Sequence, residues 1–202
     1  MQFKDVLRIK NIMQPHELKY LKDAVGKIEE KNKDKSIVNV GCYYGASAAA
    51  ILLGMQENEI TGNLFLIDTF KYHRAGGPKM KPFRERKDVP WSESFLLDTK
   101  RNLAEFSKGK NVYYIEGFSD DANLEEIGDI SFIFIDADHS THGCLLDALK
   151  YSQKVVSKGL MLFHDYTSFS SVRKALDIFL NIRPDFKVKE RVGSILTIIK
   201  GD

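Results

Sequence analysis

A run of β-branched residues that empties into a glycine turn constrains this chain more than any other stretch. Ile37, Val38 and Val40 carry the branched side chains favoured in a parallel strand buried on both faces. Gly41, Cys42, Tyr43, Tyr44 and Gly45 follow as a G-x-x-x-G turn, and Ala46 to Leu53, nearly all small or aliphatic, reads as the helix it opens. Such a strand–turn–helix makes a ligand site, because the strand's carboxyl end is open and the turn's free N–H groups point outward. The spacing narrows the ligand. A dinucleotide site wants G-x-G-x-x-G, whose second glycine lets the backbone approach a pyrophosphate. Tyr43 holds that second position, which argues against a pyrophosphate and for a smaller nucleoside. The competing reading is a βα turn that binds nothing, since many such turns carry glycine.

Composition sets the class. The 202 residues suffice for one domain that buries roughly 70% of its unfolded surface. The chain is 43% hydrophobic and 29% charged with net charge +2, as in soluble globular proteins, and shows no bias toward nucleic acid or membrane. Cys42 and Cys144 stand in no paired motif, which suits a reducing compartment and excludes a disulfide framework or zinc knuckle. No apolar run reaches the ~18 residues of a membrane span, and the N-terminus lacks a signal-like apolar core. The expectation is a cytoplasmic protein with a single domain over residues 1–202.

Residues 1–35 precede the first strand as a helical cap: Pro15, Glu17, Leu18, Leu21, Val25 and Ile28 follow helical spacing. Leu64 to Asp68 is a second buried strand ending in a carboxylate, 27 residues past Gly41. That position suits an acid that binds ribose hydroxyls, or one that merely caps the next element. In residues 71–92, Lys71, Arg74, Lys79, Lys81, Arg84, Arg86 and Lys87 oppose only Glu85 and Asp88. Gly76, Gly77, Pro78, Pro82 and Pro90 keep this stretch irregular. It reads equally as a lid over an anionic acceptor or as a solvated charge run. Trp91 anchors the lid's end or packs in the core. A helix is expected over Ser92 to Phe106 with Ser92 as N-cap. The third strand, Val112 to Ile115, closes at Gly117, Phe118, Ser119, where Phe118 either borders an adenine or fills the core.

The fourth strand, Ile130 to Ile135, delivers Asp136, Ala137, Asp138 and His139. A helix over Thr141 to Val156, stopped by Gly159, leads to a fifth strand, Leu160 to Phe163, which delivers His164, Asp165 and Tyr166. After a helix over Phe169 to Ile182, Phe186 to Val188 and Val192 to Ile199 read as two strands with no helix between them, the second interrupted by Gly193. The fold expected is α/β: a doubly wound, mostly parallel seven-stranded sheet with an antiparallel C-terminal strand.

Strands ~4.8 Å apart would bring Asp136, His164 and Asp165 into one small volume. Carboxylate oxygens with one imidazole suit a divalent ion such as magnesium, manganese or ferrous iron. A metal-free hydrogen-bond network is the alternative. His139, three positions past Asp136, can take a proton near neutrality, and beside a metal-held hydroxyl it would act as general base. His142 reads as a surface residue at the helix start.

Together the segments NVGCYYGAS, LIDTF, EGFSDD, FIDADH and GLMLFHDY resemble class I S-adenosylmethionine-dependent methyltransferases. More narrowly they resemble the metal-dependent O-methyltransferases: the catechol and caffeoyl-CoA enzymes and the macrocin-type sugar enzymes. The resemblance spans about residues 36–200. It implies a Rossmann-like methyltransferase fold with S-adenosylmethionine as cofactor. Gly41, Tyr43 and Ser47 would hold the methionine moiety, Asp68 the ribose, and Phe118 and Ser119 the adenine, with Asp138 at the cofactor's amino acid end. Asp136, His164 and Asp165 fall at the family's metal positions, and His139 where it places its base. Two residues depart from the pattern: His164 precedes Asp165 where the family has Asp-Asn or an acidic pair, and Asn39 replaces an acid that contacts the cofactor.

The leading reading is therefore O-methylation of a small hydroxylated acceptor with divalent-metal assistance. An NAD-dependent dehydrogenase is a second reading, against which Tyr43 speaks. A nucleoside-binding sensor or partner module without catalysis is a third. The basic loop alone supports a nucleic-acid methyltransferase; the low net charge and lack of stacked aromatics argue against it. A homo-oligomer is left open.

Overall fold

The computed structural model describes residues 1–71 and 94–202, in which strands and helices alternate along the chain. The elements are α1 (Phe3–Val6), α2 (Pro15–Val25), a 3₁₀ turn (Glu30–Asn32), β1 (Ser36–Val40), α3 (Ala46–Glu57), β2 (Leu64–Asp68), α4 (Leu96–Leu103), β3 (Val112–Glu116), α5 (Leu124–Ile127), β4 (Ile130–Ile135), α6 (Thr141–Ser152), β5 (Val155–Phe163), α7 (Ser170–Ile182), β6 (Phe186–Val192) and β7 (Ile195–Lys200). They build one seven-stranded sheet in the order β3-β2-β1-β4-β5-β7-β6. β1 to β5 are parallel, and β7 runs antiparallel between β5 and β6. The chain winds outward from β1 to β3, then returns to place β4 on β1's other side. The crevice at that reversal, between the carboxyl ends of β1 and β4, is where an open α/β sheet binds ligands.

Alternate strand residues feed two cores. Ile37, Leu66, Phe134 and Leu162 face one layer, which holds α2 and α3; Val38, Ile67, Ile135 and Phe163 face the other, which holds α6 and α7. α3 is apolar all round and buried from Ala46 through Met55, because the sheet lies on one side of it and α2 on the other. Among the described residues no helix is long and apolar enough to cross a membrane.

Two expectations are corrected. The helix expected to Val156 ends at Ser152, and Gly159 lies inside β5 rather than stopping a helix; Val155 and Val156 lose less side-chain freedom in a strand than in a helix. Gly193 does not interrupt a strand. With Ser194 it forms the two-residue turn of the β6–β7 hairpin, at φ +57°, the left-handed conformation glycine supplies at such turns. As expected, the C-terminal strand β7 is antiparallel; it lies between β5 and β6, with β6 at the edge. Ser92 and Trp91, and all of the basic 71–92 stretch but Lys71, lie outside the described residues.

Candidate active site

Gly41 follows β1 at φ +79°, and a Cβ on it would sit 2.0 Å from the Asp136 backbone carbonyl oxygen. This glycine therefore lets β1 and β4 close against each other where the chain reverses, and the Asp136 N–H donates to Val40 O at 2.8 Å across that seam. The turn's amides do not all point to solvent as the sequence suggested. Asp68 Oδ2 accepts from Cys42 N (2.7 Å) and Tyr43 N (2.9 Å), and Oδ1 accepts from Phe70 N (2.7 Å). Burial lifts the Asp68 carboxyl above its usual range, against the pull of these three amides. Ser47 Oγ donates to Asn39 Oδ1 at 2.8 Å, and Asn39 Nδ2 donates to Gly41 O at 3.2 Å. Asn39 thus braces the turn from beneath.

A cavity of about 610 Å³ opens over this turn, within the range of small-molecule sites. Gly41, Tyr43, Ser47 and Asp68 form one part of its wall, and Phe118 and Ser119, just past β3, form another. Asp136, Asp138 and His139 complete the part after β4. Ser119 Oγ donates to Asp147, and Asp138 Oδ1 accepts from Ser140 N at 2.8 Å. His164 and Asp165 are not wall residues.

Asp136, His139, His164 and Asp165 nevertheless come together. His139 Nε2 lies 3.2 Å from Asp136 Oδ1 and 3.2 Å from Asp165 Oδ2. His164 Nδ1 lies 3.4 Å from Asp136 Oδ1 and 3.6 Å from Asp165 Oδ1. Among the described residues, Asp136, His139 and Asp165 form the cluster whose ligand atoms all lie within 4.8 Å of one another. That cluster holds His139 in place of the expected His164. His164 instead is 6% exposed, and its Nδ1 is buried with no hydrogen-bond partner. Packing holds His139: its ring stacks on Phe169 at 4.7 Å and its carbonyl accepts from Ser171 Oγ at 2.5 Å, both at the start of α7.

The electrostatics follow from this crowding. Burial opposes the charged imidazolium of His164, but Asp136 and Asp165 outweigh it and push the pKa up to about 11. His139 is also raised, burial again opposing and Asp136 prevailing. Burial works to lift Asp136, yet the two imidazoles hold it far below the usual carboxylate range, and Asp165 is lowered in the same way. Tyr43 (φ 49°), Phe70 (φ 48°) and Asp165 (φ 60°) are left-handed, each just past a strand's carboxyl end. Such strained backbone gathers at functional sites.

Two features escaped the sequence. Lys10, Asn11, Ile12 and Met13 line the cavity, so the N-terminal segment is part of the site as well as a cap. Glu17, expected on a helix face, is 3% exposed with Oε2 3.3 Å from His164 Nε2. The available signal was a carboxylate on the stripe of Leu21 and Ile28, where an unpaired acid is costly.

Comparison with solved structures places the fold. The O-methyltransferase NovP matches with a TM-score of 0.77 at 12% identity, over 95% of this chain and 82% of that one. The Bacillus cereus O-methyltransferase in complex with SAH matches with a TM-score of 0.63 at 14% identity, over 98% and 90%. The SAH-bound Podospora anserina methyltransferase PaMTH1 matches with a TM-score of 0.60 at 17% identity, over 95% and 80%. Comparison with curated proteins gave no match. The methyltransferase-domain family matches residues 38–166; this is more than half of the chain, which belongs to that family and carries its class I, S-adenosylmethionine-dependent fold.

Proposed function

We propose that the chain, as a single domain, is an O-methyltransferase acting on a small hydroxylated acceptor, with a divalent ion between the ends of β4 and β5. The convergence of Asp136, His139, His164 and Asp165 beside the 610 Å³ cavity carries this reading. The donors fit a divalent ion: two carboxylates and an imidazole whose buried Nδ1 lacks a hydrogen bond. In this reading Asp136, Asp165 and His164 hold the ion, which when bound polarises the acceptor hydroxyl and lowers its pKa. The walls formed by Gly41, Tyr43 and Ser47, by Asp68, by Phe118 and Ser119, and by Asp138 hold S-adenosylmethionine, which supplies the methyl group. His139 takes the hydroxyl proton. Its Nε2 faces Asp136, so the proton is taken at Nδ1. Asp136 and Asp165 stabilise the imidazolium that results, and Phe169 keeps the ring in place. Lys10 and Lys71 on the wall suit an acceptor bearing negative charge.

The 3.2 Å approach of His139 Nε2 to both carboxylates supports a second reading, in which His139 is itself a ligand. One experiment addresses both. Transfer from methyl-labelled S-adenosylmethionine is measured on a panel of catechols, phenolic acids and sugars, with and without Mn²⁺, for wild type and His139→Ala. Turnover that needs Mn²⁺, together with a variant that binds Mn²⁺ but does not turn over, supports the first reading. A variant that binds no Mn²⁺ supports the second. Absence of transfer with every acceptor, despite cofactor binding, would favour a non-catalytic module.

A further inference from the structure

We infer that Glu17, on helix α2, is a positioning residue that sets which nitrogen of His164 faces the ion pocket. The inference rests on the metal reading proposed above. An imidazole is a ligand only through a nitrogen with a free lone pair, and the hydrogen bond at its other nitrogen decides which one that is. His164 Nε2 is 3.3 Å from Glu17 Oε2. The Nδ1 edge faces Asp136 and Asp165 at 3.4 and 3.6 Å and has no hydrogen-bond partner. With Nε2–H on Glu17, Nδ1 is the nitrogen left facing the two carboxylates, and a divalent ion bound there would displace its proton and take its lone pair.

Glu17 is itself fixed from two sides. Oε2 accepts from Gln14 N at 3.0 Å, at the start of α2, and Oε1 accepts from Ser194 N at 2.7 Å, in the β6–β7 turn. Gly193 makes that second bond accessible: a Cβ there would lie 2.7 Å from Glu17 Oε1. Helix, hairpin and the end of β5 therefore meet at one carboxylate. A carboxylate at position 164 would need no such partner, because either of its oxygens can bind an ion. An imidazole does need one.

The test uses the full chain and Mn²⁺ alone, titrated by calorimetry and electron paramagnetic resonance, with S-adenosylhomocysteine affinity measured in parallel. Glu17→Gln should weaken Mn²⁺ binding 10- to 100-fold, as loss of a ligand's outer partner does, and leave S-adenosylhomocysteine affinity within about 2-fold. In a His164→Asp background the same change should weaken Mn²⁺ binding less than about 2-fold, since a carboxylate has no tautomer to fix. Gly193→Ala crowds Glu17 from the hairpin side and should weaken Mn²⁺ binding as well, which keeps a test in hand if Glu17→Gln does not fold. Unchanged Mn²⁺ affinity in Glu17→Gln, or an equal loss in both backgrounds, would overturn the inference while leaving the metal reading intact. Failure of wild type to bind Mn²⁺ would overturn the metal reading itself.

Discussion

Replacing Gly41 by alanine tests whether the close approach of β1 and β4 builds the site. The variant suffers two penalties. At φ +79° an L-residue is held left-handed, which costs about 1–2 kcal/mol. The added Cβ would stand 2.0 Å from Asp136 O, where real contacts stay above 3.0 Å, so the strand ends must part by about 1 Å. Overpacking of that kind costs about 1–3 kcal/mol. Gly109 separates the terms, since its φ is +74° and nothing lies within 4 Å of its Cβ position. Gly109→Ala should lose only the backbone part, about 1–2 kcal/mol, and Gly41→Ala about 2–5 kcal/mol in all. Urea unfolding followed by circular dichroism measures both, with the midpoints compared at constant slope. Because Asp136 is the residue displaced, Gly41→Ala should also lose Mn²⁺ and S-adenosylhomocysteine binding, and Gly109→Ala should keep both. Equal stability losses within about 0.5 kcal/mol would refute the steric argument.

Other consequences are more direct. His139→Ala should lower kcat by about 10²- to 10⁴-fold, the usual contribution of a general base, and leave S-adenosylhomocysteine affinity nearly unchanged by calorimetry. Asp136→Ala should cost about 3 kcal/mol in urea, the low end for breaking a buried pair, because Asp165 still faces His164. Tyr20, buried and bonded to Thr197 Oγ1 at 2.6 Å, has its pKa pushed up to about 12 by burial, the Thr197 bond opposing. Its unfolded value is about 10. The contribution is therefore present below pH ~10 and lost as pH rises to about 12, so stability should fall less steeply across that window in Tyr20→Phe. Burial also raises both thiols, that of Cys144 to about 12. Native protein treated with iodoacetamide at pH 8 should then show no adduct by mass spectrometry, whereas urea-unfolded protein should show two.

The sheet was legible because its signals are local. Short apolar runs closed by glycine or aspartate marked strands β1, β2 and β4 almost to the residue. β5 was read short because its first half, Val155 to Lys158, follows a helix with no glycine between them, and Lys158 bends at φ 62°. The four polar residues after β4 and β5 were identifiable, since adjacency of parallel strands is a topological rule. What could not be read was which nitrogen or oxygen each would face. That depends on α2 and α7, whose contacts with the cluster span 147 positions for Glu17 and His164 and 32 for Ser171 and His139. Periodicity places a residue on a helix face but not against a partner that far away in sequence.

The cluster is held from both layers of the fold. Glu17 reaches it from the layer of α2 and α3, while Phe169 and Ser171 reach it from the layer of α7. The two imidazoles are divided between these supports: His164 leans on α2 and His139 on α7. A sheet by itself fixes only backbone positions at strand ends, and Asp136 and Asp165 receive that much from hydrogen bonding along β4 and β5. In the proposed reading a proton acceptor and a ligand must be aimed to within a fraction of an ångström, and each layer would aim one of the two histidines. The N-terminal segment is then part of the candidate site. It supplies Lys10 to Met13 to the cavity wall and Glu17 to the cluster, so a change that loosens α2 from α3 should reach the chemistry through His164 before it reaches the sheet.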